Sequence, residues 1–156
     1  YSCGLRVSEL TSLKISDLVF SQDIIKVIGK GNQQRIVPLS STLKKYLKNY
    51  INHVRIKQKI SKNSSDILFL NRNGNQLSRV MIFTVVKKFA ALAGVNKKVS
   101  PHTFRHSFAT HLVEGGADLR VVQEMLGHVN ITTTEIYTHL NQDYLRQEII
   151  NYHPRA

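Results

Sequence analysis

Residues 17–39 read DLVFSQDIIKVIGKGNQQRIVPL. Three short runs rich in β-branched and large apolar side chains are separated by SQD and by GKGNQQ, and the pattern predicts a three-stranded antiparallel meander. Lys30 falls in the second turn, between Gly29 and Gly31. Glycine opens backbone conformations closed to most residues, so the lysine can project from a hairpin tip.

The sequence on either side of this meander is helical in period. Upstream, RVSELTSLKISDL places Val7, Leu10 and Leu13 at helical spacing, which predicts a short amphipathic helix beginning at Arg6. The preceding YSCG has the form of a last helical turn and glycine stop, and suggests a helix whose earlier residues are missing. Downstream, in residues 40–60, Leu43, Leu47, Ile51 and Val54 recur every three or four positions beneath many lysines, the pattern of a helix with a basic outer face. After the polar loop SKNSSD, the segments ILFL, NRNG and QLS predict a short strand and a turn. Ser78 can then cap a helix that carries Val80, Phe83, Val86 and Ala90 and stops at Gly94. Beyond Pro101 four more short helices are expected, through HTFRHSFATHLV, DLRVVQEML, TTTEIYTHL and DYLRQEII. The whole is an α+β chain, mainly α-helical, with helices packed around one small three-stranded antiparallel sheet and no internal repeat.

The 156 residues fit one domain with a real core. Lys and Arg number 22 against 10 Asp and Glu, a formal charge of +12, enough to build a positive field over much of the surface. A polyanion is the natural partner, and nucleic acid fits best, because Lys and Arg contacts to phosphates release condensed counterions. Ribosome-associated or membrane-surface binding would satisfy the charge alone. Cys3 is the only cysteine, which excludes an intramolecular disulfide and a cysteine-rich zinc module and agrees with a reducing cytoplasm. No apolar run is long enough to cross a bilayer as a helix.

Some side chains suit chemistry on phosphate. Arg6 at a helix start and Arg105 within HTFRH carry planar guanidiniums that can donate paired hydrogen bonds to phosphate oxygens at any relevant pH, although an isolated arginine is more often a surface ion-pair partner. His102, His106, His111, His128 and His139 gather between residues 102 and 139. The i, i+4 spacing of His102 and His106 suits a helical zinc pair, but the intervening TFR supplies no glutamate base and places an arginine where a cation would sit. A histidine taken alone is more often structural than a ligand. Tyr137, in TTTEIYTHL, fits either a packed core residue or a nucleophile whose phenol is helped by nearby cations.

Taken together and in order, GLRVSEL (4–10), GKGNQQRIVPL (29–39), HTFRHSFATHL (102–112) and LGHVNITTTEIYTHL (126–140) resemble the signature segments of the tyrosine recombinase, or phage integrase, family, and are most similar to its bacterial Xer-type branch. The terminal HPRA is also similar to Xer-type endings. The resemblance implies that residues 1–156 are a catalytic domain shortened on its N-terminal side, without the helical DNA-clamping domain that family members carry. It also assigns roles. Arg6 and Arg105 clamp the scissile phosphate, Lys30 is the hairpin lysine, His102 and His128 are the two active-site histidines, and Tyr137 is the nucleophile. Glu9 takes an acidic position that organises the site through Arg6 or neighbouring backbone. GNQQR departs from the more usual GNKER, which leaves Lys30 intact but could alter DNA contacts beside the hairpin.

The activity so implied is site-specific DNA recombination: strand cleavage and rejoining through a 3′-phosphotyrosyl link, without metal, nucleotide triphosphate or other cofactor. The sequence agrees in lacking a GxxxxGK[ST] loop and an acidic metal cluster. The implied partners are double-stranded DNA and three further recombinase subunits, in a homo- or hetero-tetramer with the helix near residues 143–150 docked on a neighbour. The apolar Leu145, Ile149 and Ile150 would equally allow that helix to pack on its own core. Two other classes stay in view. A noncatalytic helix-turn-helix regulator could use DLRVVQEMLGHVNITTTEIYTHL to read DNA, and a metal-dependent nuclease would be inhibited by chelator.

Overall fold

A computed structural model describes residues 1–127 and 139–155, with the backbone alone for Lys30 and for residues 139–142. The meander forms as the sequence predicts. Strands β1 (Leu18–Val19), β2 (Ile24–Ile28) and β3 (Gln34–Pro38) pair antiparallel in the order β1-β2-β3. Ile25 stands opposite Val37, and Val27 opposite Arg35. Cross-strand partners share a face, so Arg35 lies on the same buried side as Val27, Val37 and Ile25. The β2–β3 connection closes with the Gly29 amide donating to the Gln33 carbonyl at 2.8 Å, around a single 3₁₀ turn at Lys30–Asn32. Gly31 has φ +73° with open space around it, so the backbone conformation rather than crowding selects glycine there.

Helix α1 (Val7–Ser12) precedes the sheet, with Arg6 as its N-cap. Its inward face differs from the expected one. Glu9 and Thr11 are buried along with Leu13, while Val7 and Leu10 are only half-buried. Glu9 turns inward because arginines from other elements meet it there, a tertiary pairing that hydrophobic periodicity does not register. Helix α2 (Ser41–Asn49), capped by the Ser40 hydroxyl, is shorter than the expected span and continues as a π turn at Tyr50–Val54 and a 3₁₀ turn at Arg55–Lys57. The wider π turn advances the face by a residue, so Val54 is exposed and Arg55 is buried in its place. The Arg55 guanidinium then binds the carbonyls of Ser64, Ser65 and Ile67. The expected strand over ILFL is reduced to isolated bridges, Lys14 with Ile67 and Leu70 with Gln76.

Helix α3 (Arg79–Leu92) is capped by the Ser78 hydroxyl as predicted and is followed by Gly94 with φ +67°. Its Phe83, Val86 and Ala90 are half-buried, but Val80 is 73 % exposed, since α3 rests on α1 and α4 along one side only. Helices α4 (Pro101–Gly115), α5 (Leu119–Leu126) and α6 (His139–Tyr152) follow. The Asp118 side chain caps α5, and the buried Glu148 carboxylate of α6 accepts from the Asp118 amide at 2.9 Å. The helix expected over TTTEIYTHL falls outside the described residues except for its last two positions, which open α6.

Among the described residues two apolar clusters form. One joins the sheet residues Ile25, Val27 and Val37 to Leu13, Leu47 and Leu68. The other gathers Phe108 and Leu112 of α4, Val122 and Met125 of α5, and Leu145 and Ile149 of α6. Leu145 and Ile149 thus sit in the chain's own core, one of the two placements their pattern allows, while Ile150 is 47 % exposed. Asp23 adds a polar tie, pairing with Lys44 and with Arg146 of α6, the latter at 3.0 Å. Among the described residues no helix is long and apolar enough to cross a membrane.

Because Ile149 is 1 % exposed within the second cluster, Ile149→Ala should lower the unfolding free energy by about 2–5 kcal/mol, whereas Ile150→Ala should change it by less than about 1 kcal/mol. Urea denaturation of both variants checks this.

Candidate active site

Elements of both clusters send an arginine to one buried carboxylate. Glu9, on the first turn of α1, has a side chain 2 % exposed and is ringed by three arginines from three elements. Its Oε2 accepts the Arg6 backbone N–H at 2.7 Å, which closes the start of α1, and its Oε1 accepts from Arg6 Nη1 at 2.9 Å. Arg35, from β3, docks on both oxygens in a fork, Nη1 to Oε1 at 2.7 Å and Nη2 to Oε2 at 2.8 Å. Arg105, from α4, brings Nη1 to 3.9 Å from Oε2.

The same three guanidiniums close the C-terminal end of α5. Arg35 Nε donates to the Met125 carbonyl at 2.7 Å, Arg105 Nη2 to Leu126 at 2.5 Å, and Arg6 Nη2 to Gly127 at 3.2 Å. Three consecutive carbonyls at the end of α5 each receive one arginine, and the cations face the negative end of the helix dipole. Gly127, with φ +64°, ends α5. A side chain built there would stand 3.1 Å from Arg35 Cδ, so both conformation and space call for glycine. Arg105 Nη1 also holds the Gly4 carbonyl at 2.6 Å, tying α4 to the segment that leads into α1.

Burial alone would raise the Glu9 carboxyl, but the hydrogen bonds from Arg35 and from the Arg6 backbone, with the Arg35 charge, outweigh it and hold the group down at about 2. For Arg105, burial comes first and the charge of Arg6 adds to it. Glu9 offsets only part, and the guanidinium falls to about 10, still charged at neutral pH.

The sequence-predicted residues separate into three sets. Arg6 and Arg105 are brought together, with side chains 34 % and 12 % exposed, and their bonds to the described residues use only part of the five N–H donors that a guanidinium carries. Lys30 begins the turn of the β2–β3 hairpin; its backbone is described and its side chain is not. His102 is exposed, one turn before Arg105 on α4. His128 and Tyr137 lie outside the described residues. Among the described residues, no group of three or more His, Cys, Asp or Glu side chains is placed to hold a metal ion.

Sequence reading passed over Arg35. Its signal was the alternation in QRIVP, where Arg35 occupies the position in step with Val37 on the core face, and an inward-facing arginine needs a buried partner.

Residues 1–143 match the family model described as the phage integrase family. The chain belongs to the phage integrase family. Over all 156 residues it is 49% identical to tyrosine recombinase XerD of Staphylococcus haemolyticus, of which it covers 52%. It is 48% identical to tyrosine recombinase XerD of Corynebacterium glutamicum, covering all of this chain and 51% of that one. The chain therefore spans about half the length of the curated relatives it matches. Among solved structures, 99% of the chain superposes on 55% of a XerA recombinase at a TM-score of 0.74 and 37% identity. A further match is the post-cleavage complex of XerH site-specific recombinase with a palindromic difH substrate, at a TM-score of 0.71 and 30% identity over 97% of this chain and 38% of that one.

The depressed Glu9 value carries a sign for stability. A carboxyl held at about 2 when folded and near 4.5 when unfolded favours the fold fully above about pH 5, and that contribution fades as the pH falls from 4.5 toward 2. The unfolding free energy extracted from urea denaturation between pH 7 and pH 2.5 should therefore drop across this window, by an amount on the order of 3 kcal/mol. Glu9→Gln should be less stable at pH 7 and show a shallower acid limb.

Proposed function

We propose that this chain is the catalytic part of a site-specific DNA recombinase, cutting and rejoining strands through a covalent bond from Tyr137 to DNA. The observation that carries the reading is the convergence of Arg6 and Arg105 on one spot at the end of α5, immediately before His128. Family membership and the likeness to XerH captured with its difH substrate point to the same chemistry. The +12 formal charge suits a DNA partner.

In this reading the Tyr137 oxygen attacks the phosphorus in line. An O–P bond forms, the bond to the 5′ oxygen breaks, and charge rises on the oxygens that Arg6 and Arg105 hold. The tyrosine proton leaves to His102 or, through the phosphate, to solvent, and His128 donates to a nonbridging oxygen. Lys30 gives a proton to the departing 5′ oxygen, which would otherwise leave as a poor alkoxide. The phosphotyrosyl link keeps the energy of the broken bond, so a 5′-hydroxyl of another strand can reverse the step without nucleotide triphosphate. The side-chain cations do the electrostatic work that a divalent ion performs elsewhere. Assembly as a homo- or hetero-tetramer on two duplexes, with α6 exchanged onto a neighbouring subunit, belongs to the same proposal. It would require Leu145 and Ile149 to leave the intramolecular core described above. The cytoplasm is the compartment that fits this activity.

The test is detergent-resistant attachment to DNA. The protein as its gene encodes it is incubated with its own genomic DNA, cloned as a supercoiled plasmid pool, in the presence of chelator. Wild type should form an adduct and Tyr137→Phe none. If both bind reversibly without an adduct, the helix-turn-helix regulator is the better reading, and cleavage abolished by chelator would favour a metal-dependent nuclease. Arg6→Ala and Arg105→Ala should each slow single-turnover adduct formation by more than about 100-fold, since one preorganised donor to a developing oxyanion is worth on the order of 3 kcal/mol.

A further inference from the structure

Arg35 has a geometry that stability alone does not require. It is 5 % exposed, and its donors run in two directions from one plane: the Nη fork onto Glu9 and Nε onto the Met125 carbonyl. Two glycines lie against it. A methyl group at Gly29 would stand 3.5 Å from Glu9 Oε1 and 3.6 Å from Arg35 Nη1, and one at Gly127 would stand 3.1 Å from Arg35 Cδ. The first of these glycines immediately precedes Lys30 and the second immediately precedes His128. Arg35 also shares Glu9 Oε1 with Arg6, so the direction of the Arg6 guanidinium depends on where Arg35 holds that oxygen.

We infer that Arg35 is a positioning residue for the strand cleavage proposed above, on which this inference rests: it fixes the base of the Lys30 hairpin and the end of α5 to the Glu9–Arg6 pair. It touches no DNA. A buried ion pair contributes little net stability after desolvation, whereas a planar fork constrains direction strongly. Lysine would keep the charge but, as a point donor, cannot span both Glu9 oxygens and the Met125 carbonyl.

The experiment measures single-turnover adduct formation on the duplex recovered from the wild-type adduct, together with the dissociation constant for that duplex. Arg35→Lys should bind within about 3-fold of wild type and form adduct about 100-fold more slowly, the scale of a misplacement near 1 Å. If Arg35 acts through Arg6, Arg35→Lys in an Arg6→Lys background should add little to the loss from Arg6→Lys alone. A rate within 3-fold of wild type, a loss matched by the loss of binding, or fully multiplicative losses in the double variant would each overturn the inference. Should Arg35→Lys fail to fold, Arg35→Met leaves Glu9 still paired with Arg6 and near Arg105, so that only the Arg35 fork is lost. That protein should fold and bind yet cleave slowly, and wild-type cleavage by it would also overturn the inference. If wild type forms no adduct, the recombinase reading falls first and the role of Arg35 falls with it.

Discussion

One carboxylate, Glu9, ties together elements that carry the two separate apolar clusters. A charge so deeply buried is tolerable only when paired and hydrogen-bonded on every side, and Glu9 meets that condition with partners from α1, β3 and α4. The requirement works in reverse as well. Three guanidiniums could not approach one another this closely without an anion between them, so the carboxylate is the condition for the arginine cluster as much as its beneficiary.

The end of α5 supplies the second constraint. A helix ending inside a protein leaves carbonyls that must be satisfied, and here the obligation falls on the same three arginines. Each guanidinium therefore has a side-chain or backbone anchor on one side and an α5 carbonyl on the other. Such two-ended anchoring limits rotation about the side-chain bonds, and limited rotation is what electrostatic preorganisation means in structural terms. Lysine, with its donors on one rotating head, could not do this, and the structure uses arginine at all three positions.

Much of this was legible in the sequence, and what was not has a physical reason. The meander, the Lys30 turn, the Ser78 cap and the glycine stops follow from local rules, because turns and caps depend on residues within a few positions of one another. Arg6 and Arg105 could be singled out by motif, but the carbonyls they bind could not, since those contacts join α1 and α4 to a helix end remote in sequence. Arg35 escaped notice for the same reason, its alternation with Val37 giving only a hint. Val54 and Arg55 exchanged places because a π turn changes the helical period, which a fixed spacing of three and four cannot foresee. Glu9 and Thr11 on the inner face of α1 mark the limit of reading burial from hydrophobicity: Glu9 is met there by arginines from other elements, and the Thr11 hydroxyl is satisfied by the Ser8 carbonyl of its own helix.

Charge balance connects this architecture to the proposed chemistry. Three arginines surround a single carboxylate, and the dipole of α5 adds only about half an elementary charge of negative character. The described part of the site is thus left short of negative charge. Part of that deficit reaches solvent through Arg6, whose side chain is the most open of the three. Arg105 feels it too, since burial and the charge of Arg6 both disfavour its protonated form. An anion seated between Arg6 and Arg105 would relieve their mutual repulsion, and in doing so would stabilise the fold by mass action. Phosphate held in a nucleic-acid backbone answers that need especially well, because it cannot diffuse away once the surrounding duplex is bound. The repulsion among three like charges is set up by folding, before any substrate arrives, and in the proposed reaction it would be relieved where charge accumulates on the phosphate.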